Sequence, residues 1–197
     1  MILKKNDPQC IATISDYVLS GNIVIIPTDT VYGFSGLPVS HTKEKLALIK
    51  KRDKNKSLIN LIEKKEEALR YIDKSYYSNN ELKELLSFWP CPLTIIFISS
   101  NQKEKTIALR CPKDAWLKKL LSNIGSSIFS TSVNISGYPS MKNLSNIKEA
   151  FYSDVSLIVD GGNLTSTSST ILDATKRPFS IIRQGSYILP HFNFYAT

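Results

Sequence analysis

Apolar positions along the chain alternate between a helical and a strand period. Cys10, Ile11, Ile14 and Val18 recur at helical spacing behind Asp7-Pro8, which reads as an N-cap followed by proline at the first helical position, and Gly21 closes the segment. The run Ile23-Val24-Ile25-Ile26 then predicts a buried strand. A second helix is predicted over 42–51, burying Leu46 and Ile49 while its lysines face water. The apolar run over 58–62 reads as a strand, and helical patterns follow near 64–72 and 79–88. Trp89-Pro90-Cys91-Pro92 ends them, since two prolines one residue apart enforce an extended connector. Strands are predicted over 93–99 and 106–110, a helix over 114–121, and a strand from Ile128 into Thr131-Ser132-Val133-Asn134-Ile135-Ser136-Gly137. Ser145 is the expected cap of a helix ending near Ser153, followed by strands over 157–159, 170–173 and 179–183. Helices alternate with strands early and strands dominate later. That order predicts an α/β domain with a mixed sheet. There is no internal repeat or long linker, and Thr165-Ser166-Thr167-Ser168-Ser169 reads as a short loop.

Composition narrows the class. A chain of 197 residues, 42% hydrophobic and 21% charged, is long enough to bury a real core in one domain or two tight lobes. Its apolar runs fall far short of the roughly 20 residues a membrane helix needs, and its N-terminus lacks the zones of a signal peptide. Cys10, Cys91 and Cys111 are far apart, which argues for a reducing cytoplasm and against a disulfide framework or zinc site. Only His41 and His191 are present, read as surface or cap residues, so a histidine triad or histidine-rich metal site is not expected. The formal net charge is +8. Seven basic residues against two acidic ones lie between Lys43 and Lys56. This concentration suits an anionic partner (nucleotide phosphate, carboxylate or nucleic acid) or a solvated helix face.

Candidate chemistry collects where strands end. The phosphate loop, the dinucleotide glycine fingerprint, the nucleophile elbow and the zinc-protease helix motif are all absent. In their place stand Thr28-Asp29-Thr30-Val31-Tyr32-Gly33, Lys50-x-Arg52 with Lys54 and Lys56, Arg110, Ser130-Thr131-Ser132-Val133-Asn134, Ser169-Thr170 and Arg183-Gln184-Gly185. Arginine binds carboxylate or phosphate with a two-pronged fork, and hydroxyls and Asn134 suit the remaining oxygens. Cations with a hydroxyl array, and no carboxylate pair, favour positioning and charge stabilisation on an anionic nucleotide.

Those motifs, with Trp89-Pro90-x-Pro92-Leu93-Thr94 and Ala108-Leu109-Arg110-x-Pro112, stand in the order seen in the YrdC/Sua5 family. The resemblance spans about 8–187 and is similar to the family's short single-domain form, with residues 1–197 read as one domain. It implies an open, twisted α/β mixed sheet with flanking helices and a concave basic cavity. It also implies the reaction of L-threonine, bicarbonate or CO2, and ATP to threonylcarbamoyl-AMP and pyrophosphate, for the t6A modification of tRNA. By position, Thr30, Arg110, Ser130 and Ser169 resemble the threonine-side residues. Arg52, Lys56, Thr106, Ser132, Asn134, Ser140 and Arg183 resemble the nucleotide side, and Lys50 with Arg52 would stabilise transition-state charge without a protein nucleophile. Tyr32 is expected in the cavity wall. Mg²⁺ would arrive with ATP, tRNA and downstream t6A transferase proteins are the implied macromolecular partners, and the location implied is the cytoplasm.

The chain departs from the family pattern at Ser57 for proline, Cys91 for glycine, Val133 for alanine, and Leu61 at a commonly polar position near the threonine. Asp29 is given no role beyond bracing its loop by accepting backbone N–H bonds. A non-catalytic RNA-binding module is the rival reading from charge, but the basic residues do not interleave with aromatics as stacking platforms do. A carbamoyl-adenylate domain like that of hydrogenase-maturation carbamoyltransferases is the second.

Overall fold

The run from Ile23 to Ile26 is apolar at every position because both faces of its strand are covered. Val24 and Ile26 pack with Cys10, Ile14, Val18, Leu117 and Leu121, while Ile23 and Ile25 pack with Leu46, Ile147 and Phe151 on the other side. The computed structural model describes residues 1–54, 56–101 and 105–190; His191 and the tail beyond residue 190 lie outside the described residues. Its elements are β1 (Ile2–Lys4), α1 (Cys10–Leu19), β2 (Val24–Ile26), β3 (Gly33–Gly36), α2 (Ser40–Ile49), β4 (Ile59–Leu61), two 3-10 helices (Lys65–Arg70 and Lys74–Tyr76), α3 (Asn79–Ser87), β5 (Leu93–Ile98), β6 (Thr106–Arg110), α4 (Ala115–Ile124), β7 (Ile128–Ser132), α5 (Leu144–Phe151), β8 (Leu157–Asp160), β9 (Thr170–Asp173) and β10 (Ser180–Arg183).

One ten-stranded sheet runs in the order β1-β8-β2-β3-β7-β4-β6-β5-β9-β10. It is mixed, as predicted: β8 is parallel to β1 and β2, β4 to β6 and β5 to β9, and the remaining neighbours are antiparallel. Helices α1 and α4 cover one face, α2 and α5 the other, and α3 closes a third cluster over β5, β6 and β9.

Several local expectations change. The sequence pattern passes over β1 and β3. The first is a three-residue edge strand, and the second is Gly-Phe-Ser-Gly, which shows neither alternation nor β-branched residues. Strand β3 forms because the turn after Pro27 folds it back on β2, pairing Ile26 with Gly33, and its far side pairs with β7. Helix α1 starts two residues later than Asp7-Pro8 suggests: Gln9 is the N-cap, and the Asp7 carboxylate accepts from the Gln9 N–H at 2.8 Å. Gly21, at φ +80°, follows the C-cap Ser20, where a left-handed backbone suits glycine. Asn143 rather than Ser145 caps α5, accepting from the Ser145 N–H at 2.7 Å. The stretch near 64–72 is a tight 3-10 helix. Lys50 does not face water: it ends α2 and is 3% exposed, turned into the protein.

Candidate active site

Residues two apart on a strand share a face, so register determines which side chains meet. Leu61 pairs with Arg110, Ile59 with Ala108 and Ser130, and Gly33 with Ser132. A cavity of about 260 Å³ opens over this patch. A Cβ on Gly33 would come within 2.6 Å of the Ser130 hydroxyl, so glycine there makes room for that group on the neighbouring strand. The wall carries five cationic residues, Lys50, Arg52, Lys56, Arg110 and Arg183, and no carboxylate among the described residues.

The turn after β2 supplies one side. Arg110 donates from NH1 to the Thr30 hydroxyl at 3.0 Å and from NH2 to Asp29 Oδ1 at 2.9 Å. The ion pair is nearly dry, with side-chain exposures of 5% for Arg110 and 10% for Asp29. Burial pulls the guanidinium below its ordinary range, and the Asp29 charge opposes that shift. Asp29 is therefore the counter-ion of Arg110, correcting the expectation that it braces its loop through backbone N–H groups. Arg110 Nε and Asp29 Oδ2 are buried without a protein partner. Tyr32 stands in the wall, its hydroxyl donating to the Gly162 carbonyl at 2.7 Å and accepting from the Gly161 N–H at 2.9 Å.

The end of α2 supplies another side. Lys50 Nζ donates to the Ser132 carbonyl, to the Asn134 carbonyl at 3.0 Å and to Asn134 Oδ1 at 2.9 Å. Its backbone carbonyl accepts the Ser136 N–H at 2.8 Å, so one residue holds the Ser132–Ser136 turn from two directions. Burial, and then the Arg52 charge, push the Lys50 ammonium down to about 8. Arg52 donates to the Lys56 and Ser57 carbonyls at 2.6 and 3.2 Å, closing the basic loop on itself. Asn134 Oδ1 also accepts the Ser132 hydroxyl at 2.6 Å.

The third side comes from the loop before β9. The Ser169 hydroxyl lies 2.8 Å from the hydroxyl of Thr94, and Arg183 donates from Nε and NH2 to the Ser169 carbonyl at 3.1 and 2.8 Å. Ten of the twelve site residues predicted from sequence line the cavity: Thr30, Lys50, Arg52, Lys56, Arg110, Ser130, Ser132, Asn134, Ser169 and Arg183. Thr106 does not. It stands at the opposite end of β6 from Arg110, paired with Ile98, about 13 Å away along the strand. Ser140 sits half-buried in the loop before α5, also off the wall. Thr28, Ser136, Gly137 and Ser168 also line it, although no individual role within their segments was predicted for them. For Thr28 a signal existed, since it shares the alternation of Thr30. Leu61 and Ser57, two departures from the family pattern, are in the wall, whereas Cys91 and Val133 are packed in the core. No helix among the described residues is long and apolar enough to cross a membrane, and no cluster of three or more His, Cys, Asp or Glu forms a metal cage among them.

Comparison with known proteins agrees with this fold. The profile of the Sua5/YciO/YrdC family, described as telomere recombination, matches residues 16–185. A threonylcarbamoyl-AMP synthase of Pseudoalteromonas translucida is 28% identical over 180 residues, which cover 86% of this chain and 95% of that protein. The crystal structure of Pyrococcus abyssi Sua5 complexed with L-threonine matches with a TM-score of 0.83 at 26% identity, covering 94% of this chain but only 57% of Sua5. Escherichia coli YciO shares the fold, with a TM-score of 0.82 at 21% identity over 94% of each chain. With the matched region carrying every wall of the cavity, the chain belongs to the Sua5/YciO/YrdC family.

Proposed function

We propose that this protein is an L-threonylcarbamoyladenylate synthase, a nucleotidyltransferase that makes threonylcarbamoyl-AMP and pyrophosphate from L-threonine, bicarbonate or CO2, and ATP, for t6A modification of tRNA. The observation that carries the reading is one cavity that joins a clamped guanidinium, Arg110 on Thr30 and Asp29, to a second cationic set, Arg52, Lys56 and Arg183. The relatives named threonylcarbamoyl-AMP synthase and the Sua5 complex with L-threonine support the substrates.

The chemistry asks little covalent work of the protein. The α-amine of threonine adds to CO2, loses a proton and becomes a carbamate. A carbamate oxygen attacks the α-phosphorus of ATP, a P–O bond forms, and the bond to the β-phosphate oxygen breaks to release pyrophosphate. Arg110, Thr30, Ser130 and Ser169 would hold the amino acid. Arg52, Lys56, Ser132, Asn134 and Arg183 would hold the nucleotide and spread its charge. Lys50 acts through the turn it holds and through its own charge. With no carboxylate in the wall among the described residues, Mg²⁺ would enter on the phosphates of ATP as part of the substrate. Enclosure by Leu61, Ile59 and Ile171 would keep water from the mixed anhydride. The product would pass to the transferase proteins of the t6A route, and the domain that performs the reaction is taken as the single sheet described above.

Pyrophosphate release from ATP, measured with and without threonine and bicarbonate, tests the reading. Release that requires both, with a product of the mass of threonylcarbamoyl-AMP, is expected. Release indifferent to threonine would overturn it.

A further inference from the structure

Two buried hydroxyls, Thr28 in the cavity wall and Thr94 behind it, determine which way the wall's neighbouring hydroxyls point. Thr28 Oγ1 lies 2.7 Å from the Val31 carbonyl, which can only accept, so the single proton of Thr28 is committed there. The Thr28 oxygen then accepts from the Thr30 N–H at 3.2 Å and from the Thr30 hydroxyl at 3.0 Å. The Thr30 proton is thereby used, and its oxygen already receives Arg110 NH1. Toward the cavity Thr30 keeps one lone pair and no proton. It is an acceptor only.

Ser169 has the opposite polarity. Thr94 is 0% exposed, and the Ser169 hydroxyl at 2.8 Å is the one partner of its own hydroxyl among the described residues. Ser169 is nearly as buried, at 1% exposure, but it lines the cavity, where a bound carboxylate can accept its proton, and Thr94 does not line it. A buried O–H without an acceptor is costly, so Thr94 donates to Ser169. Arg183 NH2 donates to the same Ser169 oxygen at 3.3 Å. The Ser169 proton is left free, and Ser169 lines the cavity together with Arg110 and Arg183, whose guanidiniums feel each other's charge. It is a donor set among cations.

We infer that Thr28 and Thr94 are positioning residues that polarise the cavity. They make Thr30 the acceptor for the substrate's amine N–H and Ser169 a donor to its carboxylate, which thereby lies between Arg110 and Ser169 while the amine faces Thr30. The inference rests on the proposed function and adds an orientation to it. It explains why Thr94, seventy-five residues from Ser169 in sequence, carries a hydroxyl at a fully buried position where valine would fill the same volume.

The test compares binding of L-threonine and L-threoninol, which keeps the amine but has no carboxylate, to the full chain by calorimetry. Thr94→Val should weaken L-threonine about tenfold, because the Ser169 hydroxyl keeps its proton but loses the contact that fixes its rotamer toward the carboxylate, and leave L-threoninol within twofold. Thr28→Val should weaken both ligands by a similar factor, because both keep the amine. Thr94→Ser and Thr28→Ser should bind like the unsubstituted protein. In a Ser169→Ala background, Thr94→Val should cost nothing further. If Thr94→Val lowers the affinity of both ligands equally, or still lowers threonine affinity without Ser169, Thr94 is merely structural and the inference is overturned. Should Thr94→Val not fold, as judged by thermal unfolding, Thr94→Cys supplies the same comparison with a near-isosteric, weak donor. Unsubstituted protein that binds no threonine overturns the proposed function itself, and the two failures are thus distinguishable.

Discussion

Asp29 Oδ1 lies 2.9 Å from the NH2 nitrogen of Arg110, and the pair is held in a nearly dry site at the edge of the cavity. The two residues are 81 positions apart, one on the turn after β2 and the other at the end of β6. Removing one member of a buried pair strands the other charge, whereas replacing both by apolar groups can be close to neutral. Asp29→Ala is therefore expected to cost about 3 kcal/mol in urea unfolding. The double variant Asp29→Ala, Arg110→Met should recover most of that stability while remaining inactive. A double variant as unstable as the single one would show that Asp29 matters to the fold through something other than Arg110.

Lys50 makes a pH-dependent prediction with two signs. Its ammonium is pushed down to about 8 in the folded protein from the ordinary 10.5. Between those values the unfolded chain binds more protons than the folded one, so this group's contribution to stability rises with pH from about 8 to 10.5 and is flat below 8. Activity should move the other way. A neutral amine offers two N–H donors where three carbonyl oxygens are now served, so the Ser132–Ser136 turn loosens. The rate of pyrophosphate release should fall as pH rises through about 8 while the thermal unfolding temperature does not fall with it. Both quantities falling together would assign the loss to unfolding.

Gly185 follows the arginine that clamps Ser169. A Cβ at this position would collide with the Ser168 carbonyl oxygen and with the Ser169 carbonyl carbon and oxygen, which are backbone atoms and cannot swing aside. Gly185→Ala should displace the Ser168–Ser169 segment from the wall and reduce activity at least tenfold, with an intact circular dichroism spectrum. Full activity in this variant would mean that the Arg183–Ser169 contact does not position substrate.

Glu81 supplies a control remote from the cavity. Arg177 donates to it from Nε at 2.7 Å and from NH2 at 3.0 Å, and this pairing, with the N–H of Ser78, holds its carboxyl at about 2 against the usual 4.5. A depressed carboxyl stabilises the fold above its unfolded value and loses that contribution as pH falls from 4.5 through 2. Glu81→Gln should lower stability by about 2 kcal/mol at pH 7, leave it unchanged near pH 2, and leave pyrophosphate release untouched. A change in turnover at 25 °C would place α3 in the catalytic machinery, where no contact now puts it.

Local sequence was sufficient wherever a single physical cause acts within a few residues. The double-faced run at Ile23 and the helix expected from Asp114, whose carboxylate accepts the Leu117 N–H at 2.7 Å as the cap of α4, mean the same thing alone and in the fold. The prolines around Cys91 end the helical pattern as expected, but in a bent rather than an extended connector. The clusters Thr28–Gly33, Lys50-x-Arg52, Ser130–Asn134 and Arg183 were legible as sites because polar groups at strand ends have little structural reason to accumulate. What the sequence could not carry is anything set by register between distant strands. Pairing of β4 with β6 places Arg110 beside Leu61, and only the reach of Arg110 across the sheet to the turn after β2 makes Asp29 a counter-ion rather than a loop brace. The inward turn of Lys50 depends on the carbonyls of Ser132, at the end of β7, and of Asn134 just beyond it, more than eighty residues on, and helical periodicity alone put it in water. Thr106 and Ser140 matched by position yet lie off the cavity wall, because distance along a strand and the course of a loop are geometric facts. Residue chemistry is written locally; which hydroxyl holds a proton, and toward what, is decided by partners that only the folded sheet brings within 3 Å of one another.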